Sequence, residues 1–362
     1  VVTTRQGGRE RAGRKLISVY IVDDSIVARQ HLRHILESDP SIKVIGEASS
    51  GEEAVEFVSE SRPDVITMDI RMAGMDGHEA TSRIMETHPV PIVIVSANYN
   101  RDQVEQSFRA MEAGALAIVE KPPGFGHADY ERSAAELIKT VKLMSEVRVV
   151  RRWRRTRRLP LAPKEHMGDA RNIKAVLIGA STGGPPVLQT VLSGFKADFP
   201  APILVVQHIT KGFIEGMLEW LGAVISLPIS LAKDGERALA GHVYFAPDDY
   251  HMGVDSSGRF FLSADAAENG IKPSVSFLFR SALESFGGEV VAVLLTGMGK
   301  DGAEEMKRIR DKGGVTLIQD KESSVVYGMP GEAARLGGVD YVLAPERIPS
   351  KIEGIVRGRE KA

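Results

Sequence analysis

Two α/β domains, each a doubly wound parallel sheet, are predicted for this 362-residue chain, and three observations predict them. Short apolar runs alternate with amphipathic stretches along most of the sequence, as the βα units of parallel sheets do. The length is more than one core of ordinary size uses and enough for two. An arginine- and proline-rich block near the middle separates two stretches that each carry the alternation.

Composition sets the outer limits. Apolar residues make up 43% and charged residues 26%, with a formal net charge of −2, which describes a globular chain with no global pull toward nucleic acid or anionic membrane. Cysteine is absent, so disulfides, thiolate metal sites and a cysteine nucleophile are excluded, and a reducing cytoplasmic setting is expected. The stretch Val1–Lys15 is polar and Arg/Gly-rich, without the apolar run of a signal peptide or a membrane span. Residues 1–16 are therefore expected to form a disordered leader.

In the first domain, residues 17–147, the runs Ser18–Val22, Ile42–Ala48, Asp64–Met68, Pro91–Ser96 and Ala115–Val119 read as five strands with helices between them. Ligands of such sheets sit beyond the carboxyl ends of the strands. There the sequence places Asp23-Asp24, Asp69, Ser96 and Lys121-Pro122. Three carboxylates brought together repel one another unless a hard cation sits among them, and oxygen donors with water suit Mg²⁺. Such an ion would neutralise a phosphoryl donor while one carboxylate attacks phosphorus. These five strand-end residues, in this order, make residues 17–145 resemble the receiver domain of two-component response regulators, a flavodoxin-like fold. The resemblance implies Asp69 as phosphoacceptor, Asp23 and Asp24 with Asp69 as Mg²⁺ ligands, and Ser96 and Lys121 as the groups that contact the phosphoryl. The chain departs from the family at Ala73, where proline is usual, and at Ile118, where a switch aromatic often stands. The second departure argues against transmission by an aromatic rotamer.

Residues 148–172 read as a linker. Seven arginines in the eleven positions 148–158 precede Leu159-Pro160-Leu161-Ala162-Pro163. A basic face for nucleic acid or lipid is one reading; a solvated helix end running into a proline-stiffened connector is the preferred one. Trp153 is expected to anchor on one of the domains.

The second domain, residues 173–362, opens with the apolar run Ala175–Ile178, which breaks into Gly179-Ala180-Ser181-Thr182-Gly183-Gly184. This is a strand ending in a tight turn that exposes a serine hydroxyl, with helix N–H groups able to face an oxyanion. A dinucleotide site would place glycine where Ser181 stands and an acid after the next strand; that strand, Pro202–Val206, ends instead in Gln207-His208. His208 then reaches the same sheet edge as Ser181, where a general base belongs. A third apolar run, Val290–Leu295, leads into Thr296-Gly297-Met298-Gly299-Lys300-Asp301-Gly302. Asp301 is placed to accept the Nδ1–H of His208 and fix its tautomer. The stretches Gly241–Pro247, Tyr250–Val254 and Arg259–Leu262 read as an antiparallel extension, Pro273-Ser274 as a helix cap, and Ser323–Pro330 as a substrate-side loop leading into a helix. His242 and His251 read as structural.

With these motifs in place, the Rossmann-like second domain resembles the methylesterase domain of the CheB-type chemotaxis receptor-modifying enzymes. With the receiver ahead of it, the likeness runs from residue 17 to the end. It implies a Ser181–His208–Asp301 triad, with Thr182 beside the nucleophile and Met298 contributing to the oxyanion hole. It further implies hydrolysis of glutamate methyl esters on methyl-accepting receptors, with deamidation of receptor glutamines as a companion activity. The phosphodonor would be a CheA-type histidine kinase, and Mg²⁺ would serve the receiver while the ester reaction needs no cofactor. Neither nucleic-acid binding nor membrane insertion is expected. The alternative is a non-catalytic response regulator whose output domain binds a partner or DNA, although no helix-turn-helix pattern is visible. Joined on one chain, the receiver is expected to cover the ester cleft until Asp69 is phosphorylated.

Overall fold

The computed structural model describes residues 16–96, 101–147, 149 and 171–357. The expected leader up to Lys15 and the arginine block with Trp153 lie outside the described residues.

The first domain runs β1 (Ile17–Val22), α1 (Ile26–Glu37), β2 (Ile42–Ala48), α2 (Gly51–Glu60), β3 (Val65–Met68), α3 (Gly77–Thr87), β4 (Ile92–Ser96), α4 (Arg101–Ala113), β5 (Ala117–Glu120) and α5 (Tyr130–Met144). The strands pair in parallel in the order β2-β1-β3-β4-β5. The near-continuous apolar character of β3 and β4 follows from burial on both faces, whereas the edge strand β2 begins with alternating buried and exposed residues. Helices start where polar caps dictate: Ser25, Ser50 and Asp76 each accept a hydrogen bond from a first-turn N–H of α1, α2 and α3.

The second domain continues with β6 (Ala175–Ala180), α6 (Gly184–Leu192), β7 (Ile203–Gln207), α7 (Ile214–Gly222), β8 (Ile229–Leu231), β9 (Val243–Phe245), β10 (His251–Val254), β11 (Phe260–Ser263), α8 (Val275–Phe286), β12 (Val290–Leu294), α9 (Ala303–Asp311), β13 (Val315–Gln319), α10 (Met329–Arg335), β14 (Tyr341–Leu343) and α11 (Ile348–Arg357). Seven strands form one parallel sheet in the order β14-β13-β12-β6-β7-β9-β8. Alternate residues of β6 enter opposite cores: Val176 and Ile178 on one face, Ala175 and Leu177 on the other.

The expected antiparallel extension is present but smaller than expected. The stretch around Val243–Phe245 is a parallel strand of the main sheet, between β7 and β8, and only β10 and β11 pair antiparallel, as a separate ribbon. Strands of three residues carry too little sequence to reveal their direction.

The domains meet along α4. This receiver helix packs on α7 and α6, with Phe108 stacked on Trp220 at 5.3 Å between ring centroids. Glu112 Oε1 accepts from Gln189 Nε2 at 2.7 Å and from Trp220 Nε1 at 3.1 Å. Thr210 donates to Glu136 of α5 at 3.3 Å. Ile118 packs on cores of both domains, and Val325 and Val326 lean on the receiver. A cleft of about 850 Å³ runs between the domains beside Val325, Val326 and Tyr327.

Candidate active site

Strand order explains why three residues far apart in sequence meet. β6 lies between β12 and β7, and the chain leaves β6 toward β7 first and returns to its other side only later, so a crevice opens at the carboxyl ends of these three strands. Ser181 follows β6, His208 follows β7, and Asp301 lies in the turn after β12.

The turn after β6 is set by glycine. Gly183 has φ +75°, and a Cβ there would stand 2.6 Å from the Val325 side chain, so both backbone and space require glycine. A Cβ on Gly297 would stand 2.6 Å from Ser181 Cβ, and Ser181 N donates to Thr296 O at 3.0 Å. The nucleophile turn and the glycine-rich turn after β12 thus lie against each other. Thr296 ties them further: its hydroxyl lies 3.0 Å from Thr182 O, and its N–H donates to Gln319 Oε1 at 2.7 Å.

His208 N donates to Ala180 O at 2.9 Å, continuing the β6–β7 pairing one residue beyond the strand. Gln207, buried, donates its side-chain amide to Ser181 O at 2.9 Å and to His208 O at 2.7 Å. It links the nucleophile and base turns, a role sequence reasoning missed. Its place immediately before His208 was the only hint.

Asp301 is buried and surrounded by donors: His208 Nε2 at 3.0 Å, Val275 N at 2.7 Å, Ser276 N at 2.9 Å and Ser274 Oγ at 3.1 Å. Three of these groups come from the N-terminal turn of α8, where a carboxylate is favoured. Burial pushes the Asp301 carboxyl up, but the His208 hydrogen bond and charge, with donation from Ser276, outweigh it and hold the group well below the usual carboxylate range.

The contact to Asp301 corrects one expectation. Nε2 of His208, not Nδ1, faces the aspartate, because β7 and the α8 terminus bring the far ring nitrogen to Asp301. Nδ1 is then the atom left to face the serine. Among the described residues, Ser181 Oγ makes no hydrogen bond; catalytic contacts of this kind are often long without substrate. Among the described residues, the backbone N–H groups of Thr182 and Met298 donate to no protein acceptor, leaving both available to an oxyanion.

The first domain gathers its own cluster. One carboxylate oxygen each of Asp23, Asp24 and Asp69 lie within 4.8 Å of one another. Lys121 Nζ stands 2.7 Å from Asp23 Oδ2 and 3.3 Å from Asp69 Oδ2. Burial pushes the Asp69 carboxyl up to about 6, with Lys121 opposing and Asp23 adding to the rise. Lys121 is in turn raised by Asp69 and Asp23 despite its own burial. Such a set of oxygens, partly answered by one ammonium, fits a hard divalent cation. Ser96 is buried at the end of β4, across the sheet edge from Asp69. No helix among the described residues is long and apolar enough to cross a membrane.

Comparison with known proteins finds relatives for both domains. The family model described as CheB methylesterase matches residues 176–352, and that described as response regulator receiver domain matches residues 19–127. A protein from Geobacter metallireducens, named protein-glutamate methylesterase/protein-glutamine glutaminase 4, is 51% identical over 94% of this chain and 99% of its own length. A protein of the same name, without the number, from Nitrosospira multiformis is 49% identical over 95% of this chain and 98% of its own. Among solved structures, the CheB methylesterase catalytic domain of Thermotoga maritima is 39% identical, covering 50% of this chain and 97% of that one, with a TM-score of 0.49.

Proposed function

The chain belongs to the CheB methylesterase family, with a response-regulator receiver ahead of the catalytic domain, and from that premise we propose that it is a phosphorylation-regulated serine esterase acting on glutamate methyl esters of methyl-accepting chemotaxis receptors. The observation that carries the reading is the convergence of Ser181, His208 and Asp301 at the carboxyl ends of three adjacent strands.

The chemistry follows from the geometry. Ser181 Oγ attacks the ester carbonyl carbon as His208 Nδ1 takes its proton, and Asp301 stabilises the resulting imidazolium through Nε2–H. The Thr182 and Met298 N–H groups receive the oxyanion, a contribution on the order of 10² in rate per donor. The tetrahedral intermediate collapses by breaking the bond to the methoxy oxygen, which leaves as methanol with the proton from Nδ1. Water then attacks the acyl-serine with Nδ1 as base, releasing glutamate and restoring the hydroxyl. A glutamine side chain enters the same sequence with ammonia as the leaving group, which makes deamidation a second activity of one site. The reading places the enzyme in the cytoplasm, consistent with a chain that has no cysteine. A fluorophosphonate probe is expected to label Ser181; a folded protein that stays unlabelled would favour the non-catalytic regulator instead.

Control is assigned to the receiver. Asp69 is the phosphoacceptor, with a CheA-type kinase as donor, and Asp23, Asp24 and Asp69 would hold Mg²⁺. When bound, that ion supplies charge neutralisation for the incoming phosphoryl. Lys121, 3.3 Å from Asp69, and Ser96 at the end of the neighbouring strand are the groups assigned to meet the new charge. The grip of α4 on α6 and α7, the helices that begin just after Ser181 and His208, supports restraint of the site by the receiver. Acetyl phosphate with Mg²⁺ is therefore expected to raise methanol release about tenfold in the full chain, and to leave Asp69→Asn at its basal rate, as is removal of the metal by chelation. Glu112→Ala, which removes the acceptor of both Gln189 and Trp220, is expected to raise basal release severalfold without phosphodonor. Equal basal rates in the two proteins would rule out this clasp.

A further inference from the structure

Behind Asp301 lies a buried histidine that the mechanism does not use. His251, on β10, is fully buried, and its ring stacks on Phe277 at 4.9 Å between centroids with 16° between planes. Both ring nitrogens face backbone groups of fixed polarity. Nδ1 stands 3.1 Å from Ser274 N, which can only donate, so Nδ1 accepts; Nε2 stands 3.2 Å from Ala266 O, which can only accept, so Nε2 carries the proton. These partners select a neutral imidazole in a single tautomer.

Ser274, also fully buried, is the cap of α8, its hydroxyl accepting from Phe277 N at 3.2 Å. The same hydroxyl lies 3.1 Å from Asp301 Oδ1 and 3.0 Å from Glu268 Oε2, and Glu268 is also paired with Arg280. One hydroxyl proton serves one carboxylate at a time, so it does not by itself fix Asp301. The firm contacts come from the next two residues, Val275 N and Ser276 N, at 2.7 and 2.9 Å. Their aim depends on where the backbone at Ser274 is held, and the hydrogen bond that holds its N–H is the one to His251.

We propose that His251 is a positioning residue for the ester hydrolysis: by accepting from Ser274 N–H it fixes the α8 terminus that cradles Asp301, and so sets how strongly Asp301 supports the His208 imidazolium. The proposal rests on the triad reading above. Its logic is that of the groups that orient ligands in metal sites, whose loss costs roughly 10- to 100-fold in metal affinity or activity. With the cradle loosened, Asp301 supports the imidazolium less, His208 becomes less basic, and the acid limb of the rate profile moves to lower pH.

Two variants of the full chain separate the hydrogen bond from the packing. His251→Phe keeps a ring against Phe277 and loses the acceptor, whereas His251→Asn keeps an acceptor near the Nδ1 position and loses the ring. The expected result is a kcat about tenfold lower for His251→Phe, with KM unchanged and the acid limb displaced downward by roughly half a pH unit. His251→Asn is expected to stay within about threefold of wild type. A folded His251→Phe protein with wild-type kcat and acid limb overturns the proposal, as does an impaired His251→Asn beside an intact His251→Phe. Should His251→Phe fail to fold, ¹⁵N NMR of the wild-type chain still decides: at neutral pH the Nε2–H tautomer of His251 is expected, and a doubly protonated or Nδ1–H ring overturns the relay. Failure of wild type to label with fluorophosphonate at Ser181 would instead overturn the esterase reading, and the tautomer measurement does not depend on it.

Discussion

Ser181→Ala protein is expected to fold as wild type does, to accept a phosphoryl group at Asp69, and to release methanol from methylated receptors more slowly by a factor on the order of 10⁴ or more. The large catalytic effect follows from loss of the only atom that bonds to the acyl carbon. Structural cost is small for reasons specific to this turn. Among the described residues Ser181 Oγ makes no hydrogen bond, and the contacts that fix the turn, Ser181 N to Thr296 O and Gln207 to Ser181 O, are made by backbone atoms that alanine keeps. Stability should stay within about 0.5 kcal/mol of wild type. Paired thermal melts and methanol assays check both halves, and substantial turnover by the folded variant would exclude serine chemistry.

Asp301→Asn is expected to lose about 10³- to 10⁴-fold in kcat, less than removal of the nucleophile, and, unlike Ser181→Ala, to lose stability as well. Aspartate here only accepts, from His208 Nε2, Val275 N, Ser276 N and Ser274 Oγ. Asparagine must turn its NH₂ toward one of those donors. Pointed at His208, it forces the proton onto Nδ1 and disables the base; pointed at α8, it leaves a buried N–H facing another N–H. Loss of a charge-assisted contact of this kind costs about 2 kcal/mol. The pH dependence has a definite sign. A carboxyl held below its unfolded value stabilises the fold above the ordinary carboxylate pKa, and that contribution is lost as pH falls through the depressed value. The stability gap between wild type and Asp301→Asn should therefore be full at pH 7 and shrink progressively once the pH falls below the ordinary carboxylate value of about 4, as denaturant titrations at a series of pH values can measure. A gap constant down to the most acidic pH that leaves both proteins folded would mean that the carboxylate charge is not what α8 holds.

The strand-end residues were legible in the sequence because parallel strands buried on both faces read as plain apolar runs, so the polar residue that ends each run stands out. Asp69, Ser181 and His208 were read in that way, and Asp301 from the glycine-rich turn after β12. What escaped depends on contacts between distant segments. The choice of Nε2 over Nδ1 at His208 follows from where α8 arrives, some 65 residues later in the chain, and no local pattern encodes it. The parallel direction of Val243–Phe245 is fixed by its neighbours β7 and β8 rather than by its three residues. Gln207, Ser276 and His251 are ordinary residue types whose value comes from the carbonyl, carboxylate or N–H they happen to meet. Glu112 takes its value from Gln189 and Trp220, which lie 77 and 108 residues further along the chain.

The hold of α4 on α6 and α7 also binds the two reactions into a single thermodynamic cycle. If phosphorylating Asp69 weakens that hold and so eases entry of substrate beside Ser181, then substrate that enters by weakening the same hold must ease phosphorylation of Asp69 by an equal free energy. The receptor is then more than the target of the output domain. By occupying the ester cleft it becomes an effector of the receiver, and a protein already engaged with its substrate is the one most readily switched on.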